Sequence, residues 1–387
     1  MLQSLAVANY RSLREMFLEL RPLNVITGHN GSGKSNLYKA LRLLAETAQG
    51  SVVASLAREG GLSSTLWAGP ETISARMRKR EVPVQGAVRK GSIALKLGFT
   101  AEDFGYAIDL GLPKDGGASP FGRDPVIKRE CVWAGPVFRP ASLLVDRRGP
   151  LVRVRDGCAW HEVTTALETF DSVLREMGDP GVSPELLVLR ERIRGWRFYD
   201  HFRTDADAPA RHAQLGTRTP VLAHDGADLA AALATIEEIG DASALADAVD
   251  DAFGGAKVWV HADDGRFSVR FEQPGLLRPL GAEELSDGTL RYLLWIAALL
   301  TPRPPELMVL NEPETSLHPS LIPALARLIH VAARRTQVWI VSHDPALVEA
   351  LGEGPDVARI ELTKDLGQTE VVGQGPLDRP AWAWPPR

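Results

Sequence analysis

Eight residues narrow the choice of fold more than anything else in the chain: Gly28-His29-Asn30-Gly31-Ser32-Gly33-Lys34-Ser35. A short apolar run, Leu23-Asn24-Val25-Ile26-Thr27, leads into them. After them Leu37, Leu41, Leu44 and Ala48 recur at helical spacing. The pattern G-x-x-x-x-G-K-[ST] between a strand and a helix is that of a phosphate-binding loop. Glycines let backbone N–H groups turn inward around phosphate oxygens, and a helix starting at Lys34 points its positive dipole end at the same anion. Lys34 is then placed for the β- and γ-phosphates of ATP and Ser35 for Mg²⁺. Asn30, Gly31, Ser32, Gly33 and Asn36 complete the candidate loop contacts.

The last third of the chain supplies matching parts. Leu307-Met308-Val309-Leu310 is a buried strand by its apolar run, and it ends in Asn311-Glu312-Pro313-Glu314. Glu312 is the candidate general base or water-positioning group. Asn311 stands where an Asp commonly helps hold Mg²⁺ through its water shell; an amide oxygen can accept a bond from metal-bound water but lacks the charge. Leu285-Ser286-Asp287-Gly288-Thr289 precedes a helix, and Ser286, Asp287 and Gly288 form a candidate second anion grip. Alone, Ser-Asp-Gly is simply a good turn and cap; its place some twenty residues before the Leu307 strand raises the functional reading. A further strand, Val338-Trp339-Ile340-Val341, ends in Ser342-His343, with His343 as a candidate γ-phosphate contact.

Strands alternating with helices (289–300, 319–333, 345–351) after Ser286 predict an α/β core with parallel strands. Between the two ends, β-rich pieces are expected at 92–99, 106–110, 142–145 and 151–154, with a loop at 114–125. Helices are expected at 162–177, 184–196, 228–239 and 243–253, a polar loop at 203–218 and a hairpin at 258–271. No heptad is sustained, so no coiled coil is expected. The domain reading is an ATPase core from 1–60 and 280–375, an inserted β-rich and helical lobe at 61–279, and a Pro/Trp-rich tail at 376–387.

Composition enters as an exclusion. The chain has 387 residues, 44% hydrophobic, and a net charge of −5, which argues against a generally basic nucleic-acid binder but permits local basic patches. No apolar run approaches the ~20 residues that span a bilayer, and no signal-peptide pattern opens the sequence. The two cysteines, Cys131 and Cys158, lack metal-ligand spacing and read as thiols of a reducing, cytoplasmic compartment.

Asn9-Tyr10-Arg11-Ser12-Leu13, with Pro22 through Leu37, resembles the opening of RecF- and SMC-type ABC ATPases. The phrases Leu285–Arg291 and Asn311–Pro319 resemble ATPases grouped with RecF and the overcoming-lysogenisation-defect proteins. The resemblance covers about residues 1–60 and 280–350. It implies a two-lobed P-loop NTPase head of ABC type, in which ATP is clamped between the P-loop of one subunit and the signature loop of another. Ser286 and Gly288 would then act in trans, and Ser316-Leu317-His318-Pro319 would meet the second subunit. Hydrolysis at Glu312, the end of the Walker B strand, would release the homodimer. By the same resemblance Arg11 lies near the nucleotide, and Gln85 falls where a lobe-coupling glutamine is sought.

Three roles are compatible with these features. The first is a DNA-repair or phage-defence ATPase, for which the basic clusters are Arg76-Met77-Arg78-Lys79-Arg80, Arg89-Lys90, Arg147-Arg148 with Arg153 and Arg155, and Arg190, Arg192, Arg194 and Arg197. The second is a nucleotide-gated module that hydrolyses slowly and signals to a toxin or nuclease without touching DNA. The third is a transporter's ATPase subunit; the about 250 residues between Ser35 and Leu285 speak against it. No nuclease constellation is visible, so any DNA cleavage would come from a partner.

Overall fold

The computed structural model describes residues 1–70, 73–79, 81–83, 94–113, 120–375 and 377–386. Gln85, Arg80, Arg89 and Lys90 lie outside the described residues, as does much of the loop expected at 114–125. The chain opens with β1 (Leu2–Tyr10), β2 (Leu13–Glu19) and β3 (Leu23–Gly28). Tyr10 pairs with Leu13, so Arg11 and Ser12 alone make the β1–β2 turn. Arg11 takes a φ of 50°, the left-handed backbone such a short hairpin uses.

The chain divides into two compact units: residues 1–21, 28–195 and 360–387, and residues 22–27 and 196–359. The β-rich first part of the stretch between P-loop and signature thus falls in the first unit, and its helical second part in the second.

In the first unit, β4 (Leu95–Ala101), β5 (Phe104–Gly111), β6 (Val126–Ala134), β7 (Leu143–Arg148), β8 (Leu151–Asp156) and β9 (Ala159–Thr164) join the opening hairpin. The order is β2-β1-β4-β5-β6-β7-β8-β9, antiparallel throughout. Period-two alternation puts Leu95, Leu97 and Phe99 on one face, opposite Leu110, Ile108 and Tyr106. The helix Lys34–Gln49 buries Leu37, Leu41, Leu44 and Ala48 and packs on β1, β4 and the helix Pro184–Arg194. An ion pair is fully buried in this unit: Arg147 Nη1 donates to Glu130 Oε2 at 3.2 Å. Glu130 also accepts from the Tyr106 and Ser172 hydroxyls and from the Val173 amide, so it leaves no lone charge in the core.

The helix expected at 162–177 is not formed. Residues Ala159–Thr164 pair with β8 instead, where β-branched Val163 and Thr164 suit a strand. Only Val173–Glu176 is helical, capped by Ser172. The strand Val126–Ala134 was not anticipated either. The segment read as a tail is packed: the Trp382 ring lies 5.9 Å from that of Trp133, and Trp384 lies 6.4 Å from Phe17.

In the second unit, β10 (Arg197–Tyr199) is followed by a small antiparallel sheet of β11 (Gln214–Leu215), β12 (Lys257–Asp263), β13 (Arg266–Glu272) and β14 (Leu280–Gly281). The expected hairpin is thus present, turning at Asp264-Gly265. Then come β15 (Leu307–Asn311) and β16 (Gln337–Val341), which complete the parallel order β10-β15-β16-β3. These strands are short, apolar and covered by helices, as parallel strands require. The helices Asp287–Leu299 and Ile322–Ala333 bury Leu290, Leu293, Leu294, Leu325 and Ile329 in the unit's core. Two late strands, β17 (Val357–Asp365) and β18 (Gln368–Val371), form a hairpin not expected from the sequence; from residue 360 onward it belongs to the first unit, where β18 lies beside β2. No helix among the described residues is long and apolar enough to cross a membrane.

Candidate nucleotide site

The phosphate loop leaves β3 at Gly28 and closes on the helix starting at Lys34. Gly28, Gly31 and Gly33 all have positive φ. Gly33 is the most constrained: at φ 114° an added Cβ would stand 2.1 Å from Thr369 Oγ1. No acidic residue occupies the first turn of the helix, so nothing opposes the positive end of its dipole. Lys34 is buried, and its ammonium donates to the carbonyls of Gly28 and His29. The buried Ser32 hydroxyl has no hydrogen-bond partner among the described residues. A cradle of loop amides, a lysine and a buried hydroxyl fits a chain of phosphates. Asn30, Gly31 and Ser35 are exposed, and an exposed Ser35 hydroxyl fits a Mg²⁺ ligand. Among the described residues no cluster of three His, Cys, Asp or Glu side chains could hold a metal; Mg²⁺ typically relies on water and phosphate oxygens.

The loop is fastened by residues that the motif does not include. Thr369 Oγ1 donates to the Ser32 carbonyl at 2.7 Å and bonds the Ser12 hydroxyl at 2.7 Å. The Thr369 amide donates to Ser12 O, and Asn36 Nδ2 donates to Ser12 Oγ at 2.8 Å. Asn36 is thus engaged by the β1–β2 turn. Arg11, in the same turn, donates to Glu59 at 2.9 Å, and the Tyr10 hydroxyl donates to the same carboxylate at 2.6 Å. Burial would raise the Glu59 pKa, but these two hydrogen bonds and the Arg11 charge outweigh it and hold the carboxyl below its ordinary value.

In the second unit, Walker B strand β15 runs between β10 and β16, with Asn311 in register with Val341. The next residue, Glu312, has a φ of 49°, a costly conformation for a side chain of this size. Its amide donates to Val341 O at 2.7 Å. His343 Nδ1 lies 3.3 Å from Glu312 Oε1 and 4.0 Å from Glu314 Oε1. Glu314 is buried and accepts from the Ser342 hydroxyl at 2.6 Å. The loops after β15 and β16 therefore bring Glu312, Glu314, Ser342 and His343 together at one end of the parallel strands.

The candidate signature loop lies at the N-terminus of the helix Asp287–Leu299. Ser286 caps it, accepting from the Thr289 amide at 3.1 Å. Asp287 accepts from Arg211 at 2.7 Å. Gly288 lies against the loop after Walker B: an added Cβ would stand 3.3 Å from Ser316 O. The same helix carries Trp295, whose indole donates to Pro313 O at 3.0 Å. Sequence reasoning missed Ser12, Thr369, Arg211 and Arg291. Only Arg291 left a signal, a cation between Leu290 and Tyr292 on an otherwise apolar helix.

A P-loop closing a parallel β-strand in an α/β fold defines a P-loop ATPase. The chain belongs to the family described as "AAA domain, putative AbiEii toxin, Type IV TA system", whose profile matches residues 23–349. No curated protein matches it. Among solved structures it is similar to the SMC head domain from Thermotoga maritima, at 16% identity and a TM-score of 0.48, over 96% of this chain and 98% of that one. An SMC head bound to the C-terminal winged-helix domain of ScpA gives 12% identity and a TM-score of 0.49, over 96% and 97%. A Pyrococcus furiosus SMC head with an extended coiled coil, bound to the C-terminal domain of ScpA, gives 12% and 0.47, over 96% and 95%.

Proposed function

We propose that the protein binds ATP with Mg²⁺ at the phosphate loop, hydrolyses it, and pairs head to tail with a second copy around the nucleotide. The observation that carries this reading is the Glu312–His343 contact of 3.3 Å at the end of the Walker B strand. Lys34 and the loop amides bind and orient the phosphates; Ser35 and Asn311 are the residues that would hold Mg²⁺. Mg²⁺ supplies positive charge to the phosphate oxygens when bound. Glu312 accepts the proton of the attacking water as its oxygen bonds the γ-phosphorus and the bond to the β–γ bridging oxygen breaks. His343 orients the Glu312 carboxylate. Ser286 and Gly288 face the nucleotide held by the other copy, and hydrolysis releases the pair. The Glu312→Gln protein tests this: its molar mass in solution doubles on adding Mg-ATP, and a monomer at saturating nucleotide refutes the head-to-tail reading.

For what the dimer acts on, DNA in repair or defence is one reading and a toxin or nuclease partner the other. The pairing of most of the described arginines in these clusters favours the partner. Arg76 meets Glu81, and Arg78 meets Glu370. Arg147 is buried on Glu130; Arg148 and Arg153 meet Asp146. Arg192 grips Asp103 with two bonds, and Arg190 and Arg194 meet Glu191. Cations already matched to carboxylates have less to gain from phosphates. The family's description, with its AbiEii toxin and toxin–antitoxin system, supports the same reading. Affinity for short duplex DNA at two salt concentrations decides: the partner reading expects none at either, whereas tight binding at low salt that is lost at high salt restores DNA as the target.

A further inference from the structure

Two buried arginines of the second unit converge on one short segment, residues 201–205. Arg211, 8% exposed, donates from Nε and Nη2 to Thr204 O at 2.9 and 2.8 Å. Its other bonds reach the signature side: Nη1 to Ala282 O and Leu285 O at 3.0 and 2.8 Å, and Nη2 to Asp287 Oδ1 at 2.7 Å. Arg291, 4% exposed, donates from Nη2 to Phe202 O at 3.1 Å and to Thr204 Oγ1 at 3.3 Å. Its Nη1 donates to Thr315 O at 2.8 Å. The Thr315 amide in turn donates to Glu312 O at 3.0 Å.

Arg291 has no carboxylate among these hydrogen bonds, and a buried cation without one is costly. Burial pulls the Arg291 pKa below its ordinary value, and the charge of Asp287, one turn earlier on the same helix, partly opposes this. The segment from Glu312 to Ser316 is itself bounded by two left-handed residues, φ 49° and 64°. Such a backbone persists only where its surroundings over-determine it. Arg291 and the close approach of Gly288 to Ser316 O supply that constraint.

We propose that Asp287, Arg211, Thr204 and Arg291 form a brace that ties the signature loop to the loop carrying Glu312. This rests on the ATPase reading, and within it Asp287 is a positioning residue, turned to Arg211 instead of the nucleotide. What engages the signature loop of one copy then sets the placing of that copy's own Glu312. Hydrolysis at one site becomes conditional on the occupancy of the other.

The test is hydrogen exchange on nucleotide-free protein, which does not depend on ATP binding. Asp287→Asn, which keeps the shape and removes the charge, raises exchange at residues 311–317 at least tenfold and leaves residues 28–36 within twofold. Thr204→Val, which removes one hydroxyl, does the same to a smaller extent and serves if the first variant folds poorly. In steady state both lower kcat tenfold or more with KM unchanged. Exchange at 311–317 within twofold of the unsubstituted protein overturns the brace, and raised exchange with unaltered kcat overturns its positioning role. Failure of the unsubstituted protein to bind ATP would refute the ATPase reading instead, and the exchange result would stand apart from it.

Discussion

His343 Nδ1 approaches Glu312 Oε1 to 3.3 Å from the neighbouring parallel strand. The two residues stand 31 positions apart in the chain, and the pairing of β15 with β16 brings them together. His343→Ala is expected to lower kcat by about 10²-fold, the scale of a lost acid–base or orienting group, with ATP affinity within a few-fold. Nucleotide titration beside steady-state kinetics checks both halves.

Lys34 is the one cation of the phosphate loop. Removing a charge-assisted donor of this kind costs about 1.5–3 kcal/mol. Lys34→Ala is therefore expected to weaken ATP binding by about 10- to 100-fold, measured by equilibrium titration. Retained affinity would mean that the phosphates bind elsewhere.

Gly33 cannot carry a side chain where it stands, given its φ of 114° and the 2.1 Å clash with Thr369 Oγ1. Gly33→Ala is expected to cost about 2 kcal/mol or more, from left-handed strain together with overpacking. Adding Thr369→Ala should recover the overpacking part and leave the strain. Urea midpoints of the single and double variants separate the two.

The extent to which the molecule was legible from its sequence follows the range of each interaction. The strand, loop and helix around Gly28–Ser35 were plain because each signal lies within a few residues of the next. So were the ends of β15 and β16, where apolar runs stop at Asn311 and Ser342. The 162–177 stretch misled because its first residues, up to Thr164, pair with β8 and only Val173–Glu176 is helical. The brace through Thr204 was invisible, since Arg211 meets Asp287 across 76 positions and neither residue looks unusual where it stands. Thr369, which fastens the P-loop from 337 positions away, was hidden for the same reason.

Glu130 is fully buried with four partners. Glu130→Ala strands the Arg147 guanidinium without its counter-ion, and a broken buried pair costs about 3–5 kcal/mol. Chemical denaturation should show that loss. Replacing Glu15, an exposed partner of Arg379, should cost less than about 1 kcal/mol.

Acid should loosen the β1–β2 turn through Glu59. Its folded pKa is depressed, so its contribution is present above the unfolded value near ~4.3 and is lost as pH falls through the folded one. Glu59→Gln should flatten this part of the acid limb, read as the change in unfolding midpoint between pH 6 and pH 3. An identical acid limb in both proteins would rule out the Tyr10–Arg11–Glu59 cluster as its source.

The packing of residues 377–386 has an optical consequence. Trp133, Trp382 and Trp384 meet edge to face in series, with ring centroids 5.9 and 5.1 Å apart and planes inclined at 67° and 75°. Indoles this close and this oblique couple their transitions, so the far-ultraviolet circular dichroism should carry a paired band of opposite signs from this cluster. Detaching the segment would erase that couplet while the backbone signal stayed, giving a label-free readout of one docked segment in the intact chain.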